Sequence, residues 1–300
     1  MATAHHPSVL TTRRGAIVGI LFTGMVLALV LSPGPSKVEA SGLFGGLRSP
    51  GQASFVAGHR GDRASAPENT MPALQAALDG PMGFVETDIQ LSKDRVPVLM
   101  HDAFVDRTTN GTGRVSSLTF AQLRKLDAGS WFSPAFAGTR VPALEELLAA
   151  LQAKATEGVE KKALLELKGF WTLDEVRIVT DLLVRYDVAR IVILSSFDTS
   201  TLEHVREVDP NLPRAIIAST LPNDPVAFAR LYGAVALIAG HAAVETDPWL
   251  VDRLHRAGLG IIVYTLNSKV RWQAALDLGV DGVITDRPGR FDRWLATATG

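Results

Sequence analysis

GFVETDIQLSKDRVPVLMHD, residues 83–102, decides how the strands of this chain are counted. Residues 83–89 and 96–101 both read as strands, with the tight turn SKDR between them. That turn is too short for a parallel crossover, which takes about a dozen residues or more. The second run therefore returns antiparallel, as a hairpin arm. With the turn centred between Lys93 and Asp94, Glu86 falls opposite His101. Setting the arm aside leaves eight apolar runs: SFVAGH, GFVETDI, ALLELK, RIVILSSF, PRAIIAS, VALIAG, GIIVYTL and DGVITD. Most are separated by helix-like stretches, at 71–78, 173–186, 199–208, 248–256 and 270–278. Strand–helix alternation means a parallel sheet, and eight such strands close a TIM-like (β/α)₈ barrel of the α/β class.

The 300 residues are 47% hydrophobic and 20% charged, with a net charge of −1. This is ordinary globular composition, and no basic field argues for nucleic acid. Cysteine is absent, which excludes a disulfide framework, a thiol nucleophile and a thiolate metal site. The first 40 residues read differently. Arg13 and Arg14 precede an uncharged apolar run over 16–31, and Val38-Glu39-Ala40 follows as a cleavage-like step. This is the pattern of an export signal, with a mature chain from Ser41 and the arginine pair compatible with a twin-arginine route. A retained membrane anchor is the alternative, although the run is shorter than the roughly 20 residues of a span. The expected plan is an export segment over 1–40 and a barrel domain over 41–300. Membrane contact would come only through an uncleaved N-terminus. Oligomeric state is left open.

Residues 102–141, rich in Gly, Ser and Thr and carrying Trp131, Phe132 and Phe136, are too many for a simple barrel loop. They read either as a small insertion over the C-terminal mouth or as an Ω-loop with its own aromatic core.

A barrel keeps its active site at the C-terminal strand ends. Those ends hold His59-Arg60, Glu86 and Asp88, Glu166 and Lys168, Tyr264, and Thr285-Asp286. Residues i and i+2 share a face of a strand, so Glu86 and Asp88 project together, as do Glu166 and Lys168. Three converging carboxylates repel one another unless a cation joins them. An all-oxygen donor set suits Mg²⁺ or Ca²⁺ better than zinc. Each acidic residue taken singly is equally explained by structural salt bridges, Glu166–Lys168 and Asp88–Arg60. With a divalent ion, Arg60 and Lys168 leave the site slightly positive, which suits a monoanionic phosphodiester. His59 and His101 are the candidate acid–base pair, with His241 as a second-tier candidate at another strand end.

In order along the chain, HRGDRASAPENT, ETDIQLSKDRVPVLMHD, DRTTNGTGRV, LLELK and GVDGVITDRPG resemble the glycerophosphodiester phosphodiesterase family, over residues 54–288. The resemblance implies a metal-dependent phosphodiesterase on a (β/α)₈ barrel, exported as many members are, acting on a small-molecule glycerophosphodiester. It implies Glu86, Asp88 and Glu166 as metal ligands and His59 and His101 as acid and base. Arg60 and Lys168 would bind the phosphate, and Asn69 of the PENT stretch would position the substrate, unless PENT is only a helix entry capped by Thr70. Tyr264 stands where the family commonly has Trp, which leaves the pocket wall open. The implied reaction yields glycerol 3-phosphate and an alcohol, with water or the glycerol 2-hydroxyl as nucleophile. The order of motifs leans toward His101 as the acid. Two rivals remain: phospholipase-D-like action on lysophospholipids or sphingomyelin, favoured by the aromatic residues of 102–141, and a non-catalytic binding protein on the same scaffold.

Overall fold

In the computed structural model, the chain is described at Met1 and over residues 39–298. The proposed export segment lies outside the described residues, apart from Met1, Glu39 and Ala40. Helix α1 (Ala40–Phe44) precedes strand β1 (Phe55–Gly58), and α2 (Met71–Asp79) leads to β2 (Phe84–Leu91) and β3 (Pro97–Leu99). After the short α3 (Phe120–Leu123) come α4 (Leu144–Thr156), β4 (Lys162–Leu167), α5 (Leu173–Arg185), β5 (Val192–Ser196) and α6 (Thr199–Val208). The rest runs β6 (Arg214–Ala218), α7 (Pro225–Leu231), β7 (Ala236–Gly240), α8 (His241–Thr246), α9 (Leu250–Arg256), β8 (Gly260–Tyr264), α10 (Lys269–Asp277), β9 (Gly282–Thr285) and α11 (Pro288–Ala298).

Strands β1, β2 and β4 to β9 pair in parallel, and β1 pairs with both β2 and β9, so the eight strands close into a barrel. β3 lies outside the closure, antiparallel to β2. The hairpin register differs by one residue from the expected one. Ile89 pairs with Leu99 and Leu91 with Pro97, which centres the turn on Asp94, so His101 does not fall opposite Glu86, and the Met100 N–H donates to the Asp88 carbonyl at 3.0 Å. Arg95 takes a left-handed φ of 61° in this turn, and the Ser92 hydroxyl donates to Asp94 at 2.7 Å. These local bonds fix a turn type that strand periodicity does not specify.

The helices bury Leu74, Leu147, Val179, Leu202 and Trp272 against the outer face of the sheet. The inner face holds a second cluster, with Ala57, Phe84, Leu164, Ile193, Ala215, Ala236, Ile262 and Ile284 filling the lower barrel. α1 closes this cluster with Ala40, Leu43 and Phe44, and Phe55 stacks on Phe84 at 4.2 Å between ring centroids. Lys162 Nζ donates to the Leu43 carbonyl at 2.7 Å. The expected cleavage boundary between Ala40 and Ser41 falls inside this helix.

The segment between β3 and α4 has its own core of Val98, Met100, Val105, Val115, Leu123, Ala128 and Val141. That core is largely aliphatic. Trp131 stays 41% exposed, although Trp131, Phe132 and Phe136 do pack edge to face. Among the described residues no helix is long and apolar enough to cross a membrane.

Candidate active site

Strand alternation turns an apolar floor into a charged mouth. Phe84, Leu164 and Ile284 lie in the inner cluster. Two residues on, Glu86, Glu166 and Asp286 take the same inward face one step nearer the C-terminal ends. The parallel register then sets Asp88 directly beside Glu166. Like charges opposed across strands are destabilising, and here a third carboxylate joins them. One ligand atom from each of Glu86, Asp88 and Glu166 lies within 4.8 Å of the others. All three residues are buried.

Burial, reinforced by the Asp88 charge, pushes the Glu86 carboxyl well above its ordinary range and Glu166 up to about 7. Burial acts on Asp88 in the same sense, but Lys168 and then Arg60 outweigh it and hold Asp88 low. Lys168 Nζ lies 2.8 Å from Glu166 and 3.4 Å from Asp88. Arg60 Nε lies 3.4 Å from Asp88 Oδ2, and the Arg60 backbone N–H donates to Glu86 at 2.8 Å. Both ion pairs that sequence reading offered as purely structural therefore exist, but inside the acidic cluster. Even with these two cations beside them, Glu86 and Glu166 stay raised above the ordinary carboxylate range. The site thus has an unmet demand for positive charge and an all-oxygen donor set, which fits a hard divalent cation.

His59 and His101 enter from different elements. His59 follows β1, and its Nδ1 lies 2.6 Å from Asp286 Oδ1. His101 follows β3, and its Nδ1 lies 2.7 Å from Asp102 Oδ1. Burial would raise Asp286, but its bond to and attraction by His59, then the Arg63 charge and the Asn267 bond, hold it at about 2. Asp102 sits at about 2, chiefly through Arg107. An ionised carboxylate only accepts hydrogen bonds, so each Nδ1 carries the proton and each Nε2 is left for a substrate. Burial pulls the His101 imidazole below its ordinary value, against the opposing charge of Asp88 and the bond to Asp102.

Asn69, at a left-handed φ of 53°, donates to Asp88 Oδ2 at 2.9 Å and accepts from Thr87 Oγ1 at 2.7 Å. Its observed partners are thus β2 residues. Thr70 occupies the N-cap position of α2, but its hydroxyl donates to the Pro67 carbonyl at 2.6 Å instead of capping. Tyr264 closes β8 with its ring edge-on to Phe197, 6.4 Å between centroids. His241 opens α8 with Glu245 as its carboxylate neighbour at 3.9 Å.

Sequence reading assigned no role to Glu68, Arg63, Arg107 or Asn267. Asn267 donates to Asp286 Oδ2 at 2.7 Å and accepts from the Asp286 N–H at 2.9 Å, fixing that carboxylate behind His59. Glu68 is buried among three guanidiniums: Arg60 at 2.6 Å, Arg63 at 2.8 Å and Arg107 at 2.7 Å. The signal available was only the acid of PENT lying close to a run of arginines.

A closed (β/α)₈ barrel with an acidic trio and two aspartate-backed histidines at its C-terminal mouth defines an α/β-barrel hydrolase. Residues 59–290 match the Glycerophosphoryl diester phosphodiesterase family, and the chain belongs to that family. It is 33% identical over 263 residues to the glycerophosphodiester phosphodiesterase of Bacillus subtilis strain 168, covering 83% of this chain and 88% of the relative. It is also 33% identical over 248 residues to that of Caldanaerobacter subterraneus, covering 78% of this chain and 95% of the relative. The structure of an Oleispira antarctica phosphodiesterase, in complex with the product sn-glycerol-3-phosphate, superposes with a TM-score of 0.74 at 26% identity, covering 81% of this chain and 96% of that one. The protein is an enzyme of this family, a phosphodiesterase acting on glycerophosphodiesters.

Proposed function

We propose that the protein hydrolyses a glycerophosphodiester to glycerol 3-phosphate and an alcohol, in a metal-dependent reaction with His59 and His101 as acid and base. The carrying observation is the acidic trio of Glu86, Asp88 and Glu166 in the same mouth as two histidines whose Nδ1 atoms are tied to aspartates. The product complex of the Oleispira antarctica enzyme supports the product. Glu86, Asp88 and Glu166 would hold a Mg²⁺ or Ca²⁺ ion. When bound, such an ion supplies positive charge for a phosphoryl oxygen and for the three carboxylates.

The chain's own groups do the rest. Arg60 and Lys168 hold Asp88 ionised and add positive charge where a phosphodiester would sit. Asn69 fixes the Asp88 rotamer. Asp286 and Asp102 each accept from a ring Nδ1–H and leave both Nε2 atoms for the substrate. A neutral imidazole accepts a proton, and burial shifts His101 toward that form. We therefore assign His101 as the base for the attacking hydroxyl and His59 as the donor to the departing alkoxide, the reverse of the sequence leaning; as donor, His59 acts as the imidazolium, giving the proton on Nε2 while Nδ1–H stays bonded to Asp286. Tyr264 and Phe197 would form the wall against the substrate.

The test is a product assay on glycerophosphocholine, with and without chelator. Glycerol 3-phosphate and choline are expected, and both should vanish when the metal is removed. Metal-independent turnover, or phosphocholine as product, would sink the reading. A long-chain lysophospholipid in the same assay covers the phospholipase-D-like alternative, to which the half-exposed Phe104 and Trp131 lend support. We also propose that residues 1–40 direct export and leave a chain beginning at Ser41 in the periplasm or outside the cell, with a retained N-terminal anchor as the alternative.

A further inference from the structure

We propose that Glu68 is a positioning residue that holds the two histidine arms of the site in one frame. The proposal rests on the two-histidine reading given above. From Glu68 a continuous series of ion pairs reaches both rings. On one side, Arg63 Nη2 lies 2.8 Å from Glu68 Oε2, and Arg63 Nη1 lies 3.6 Å from Asp286 Oδ1, the oxygen bonded to His59. On the other, Arg107 is bidentate to Glu68, at 2.7 and 3.2 Å, while its Nε donates to Asp102 at 2.5 Å. Asp102 in turn holds His101. Arg60, on the third side, joins Glu68 to Asp88.

The series reaches beyond the pairing of neighbouring strands, β1 with β9 and β2 with β3, to join the loops that follow them. Glu68, Arg60 and Arg63 lie on the β1–α2 loop, Asp286 follows β9, and Arg107 and Asp102 belong to the long segment after β3. Glu68 is 4% exposed. Burial would raise its carboxyl, but Arg107, Arg60 and Arg63 together hold it low, so it is an anion at neutral pH. Three guanidiniums of fixed planar geometry on one carboxylate leave it little freedom. Glu68 thereby restrains the two rings relative to each other, alongside the bonds of Asn267 to Asp286, and displacing either ring by about 1 Å costs roughly 10²-fold in rate.

Two other readings of the cluster predict different data. If it only stabilised the fold, its variants would melt earlier and turn over normally. If Arg63 and Arg107 bound the substrate phosphate, their removal would raise KM and spare kcat.

The experiment compares Glu68→Gln, Arg63→Gln and Arg107→Gln in the metal-loaded enzyme with glycerophosphocholine. It also records the imidazole Nδ1–H proton signals of His59 and His101 by NMR without substrate. We expect each variant to lose about 10- to 10²-fold in kcat with KM within about twofold. Arg107→Gln should lose the slowly exchanging His101 Nδ1–H and keep that of His59. Arg63→Gln should do the reverse, and Glu68→Gln should weaken both. The two arginine variants change partly exposed residues and carry the test if Glu68→Gln does not fold. Unchanged kcat, a rise in KM alone, or both Nδ1–H signals intact in the arginine variants overturns the proposal. Failure of the underlying reading looks different, because His59→Ala and His101→Ala would then retain activity.

Discussion

His59 and Asp286, 227 residues apart in the chain, meet at 2.6 Å across the closure of the barrel between its first and last strands. Asp286 has no catalytic proton of its own to give, since it is held at about 2. Its role is to keep the proton on Nδ1. Asp286→Asn removes the negative charge that steadies the ring while it carries a second proton on Nε2, and so weakens His59 as a donor. We expect a kcat loss of about 10²-fold or more with a circular dichroism spectrum like that of the native protein. Activity within threefold of wild type would show that the ring needs no such partner.

Glu166→Gln separates the metal role from the structural one. It removes one of three ligand charges, so divalent affinity and activity should both collapse. In the metal-free protein it should stabilise. The folded value of Glu166, about 7, lies above its ordinary 4.5, so holding it ionised above neutral pH works against folding. The prediction is a higher Tm than wild type in chelator at pH 8, and no rise in Tm when Mg²⁺ or Ca²⁺ is added. A Tm that still climbs with added metal would place the ion elsewhere.

Asp102 gives a pH prediction of the opposite sign. Its folded value, about 2, lies below the ordinary 3.8. The unfolded chain therefore binds more protons in between, so stability from this group is fully present above about pH 4 and lost as pH falls through 2. Asp102→Asn should cost about 1 kcal/mol at neutral pH, after allowance for its partial exposure. That gap should close toward pH 2 in denaturant titrations. A gap that does not change with pH would mean that the loss comes from packing.

The barrel was legible because burial on both faces makes each strand a short continuous apolar run, and the charged strand ends stood out against it. The trio Glu86, Asp88 and Glu166 followed from period-two alternation together with the gathering of C-terminal strand ends at one barrel mouth. What stayed hidden depends on contacts between loops. Glu68 gathers guanidiniums from two separate loops, and no periodicity records that. The hairpin register hung on one residue of turn geometry, and Arg95 and the Ser92–Asp94 bond settle it in the folded chain. In residues 102–141 the conspicuous aromatics drew attention, yet buried valines and leucines form the core. Helix α1 was hidden by its place at the end of a leader-like segment.

That placement bears on export. Processing after Ala40 would remove a residue that is fully buried in the barrel floor, while Leu43 and Phe44 would remain to close it. Mass spectrometry of the exported protein should find Ser41 at the N-terminus. An intact N-terminus in a membrane fraction would favour the anchor instead.

The most direct test of the two-histidine account is kcat/KM for His59→Ala and His101→Ala on glycerophosphocholine and on a nitrophenyl phosphodiester. An aryl leaving group needs little protonation, and general acid–base help is typically about 10²–10⁴-fold. With His59 as donor, His59→Ala should lose far more on glycerophosphocholine than on the aryl ester, and His101→Ala should lose comparably on both. The opposite pattern would exchange the two roles, and a loss of less than tenfold in both variants on glycerophosphocholine would contradict the account.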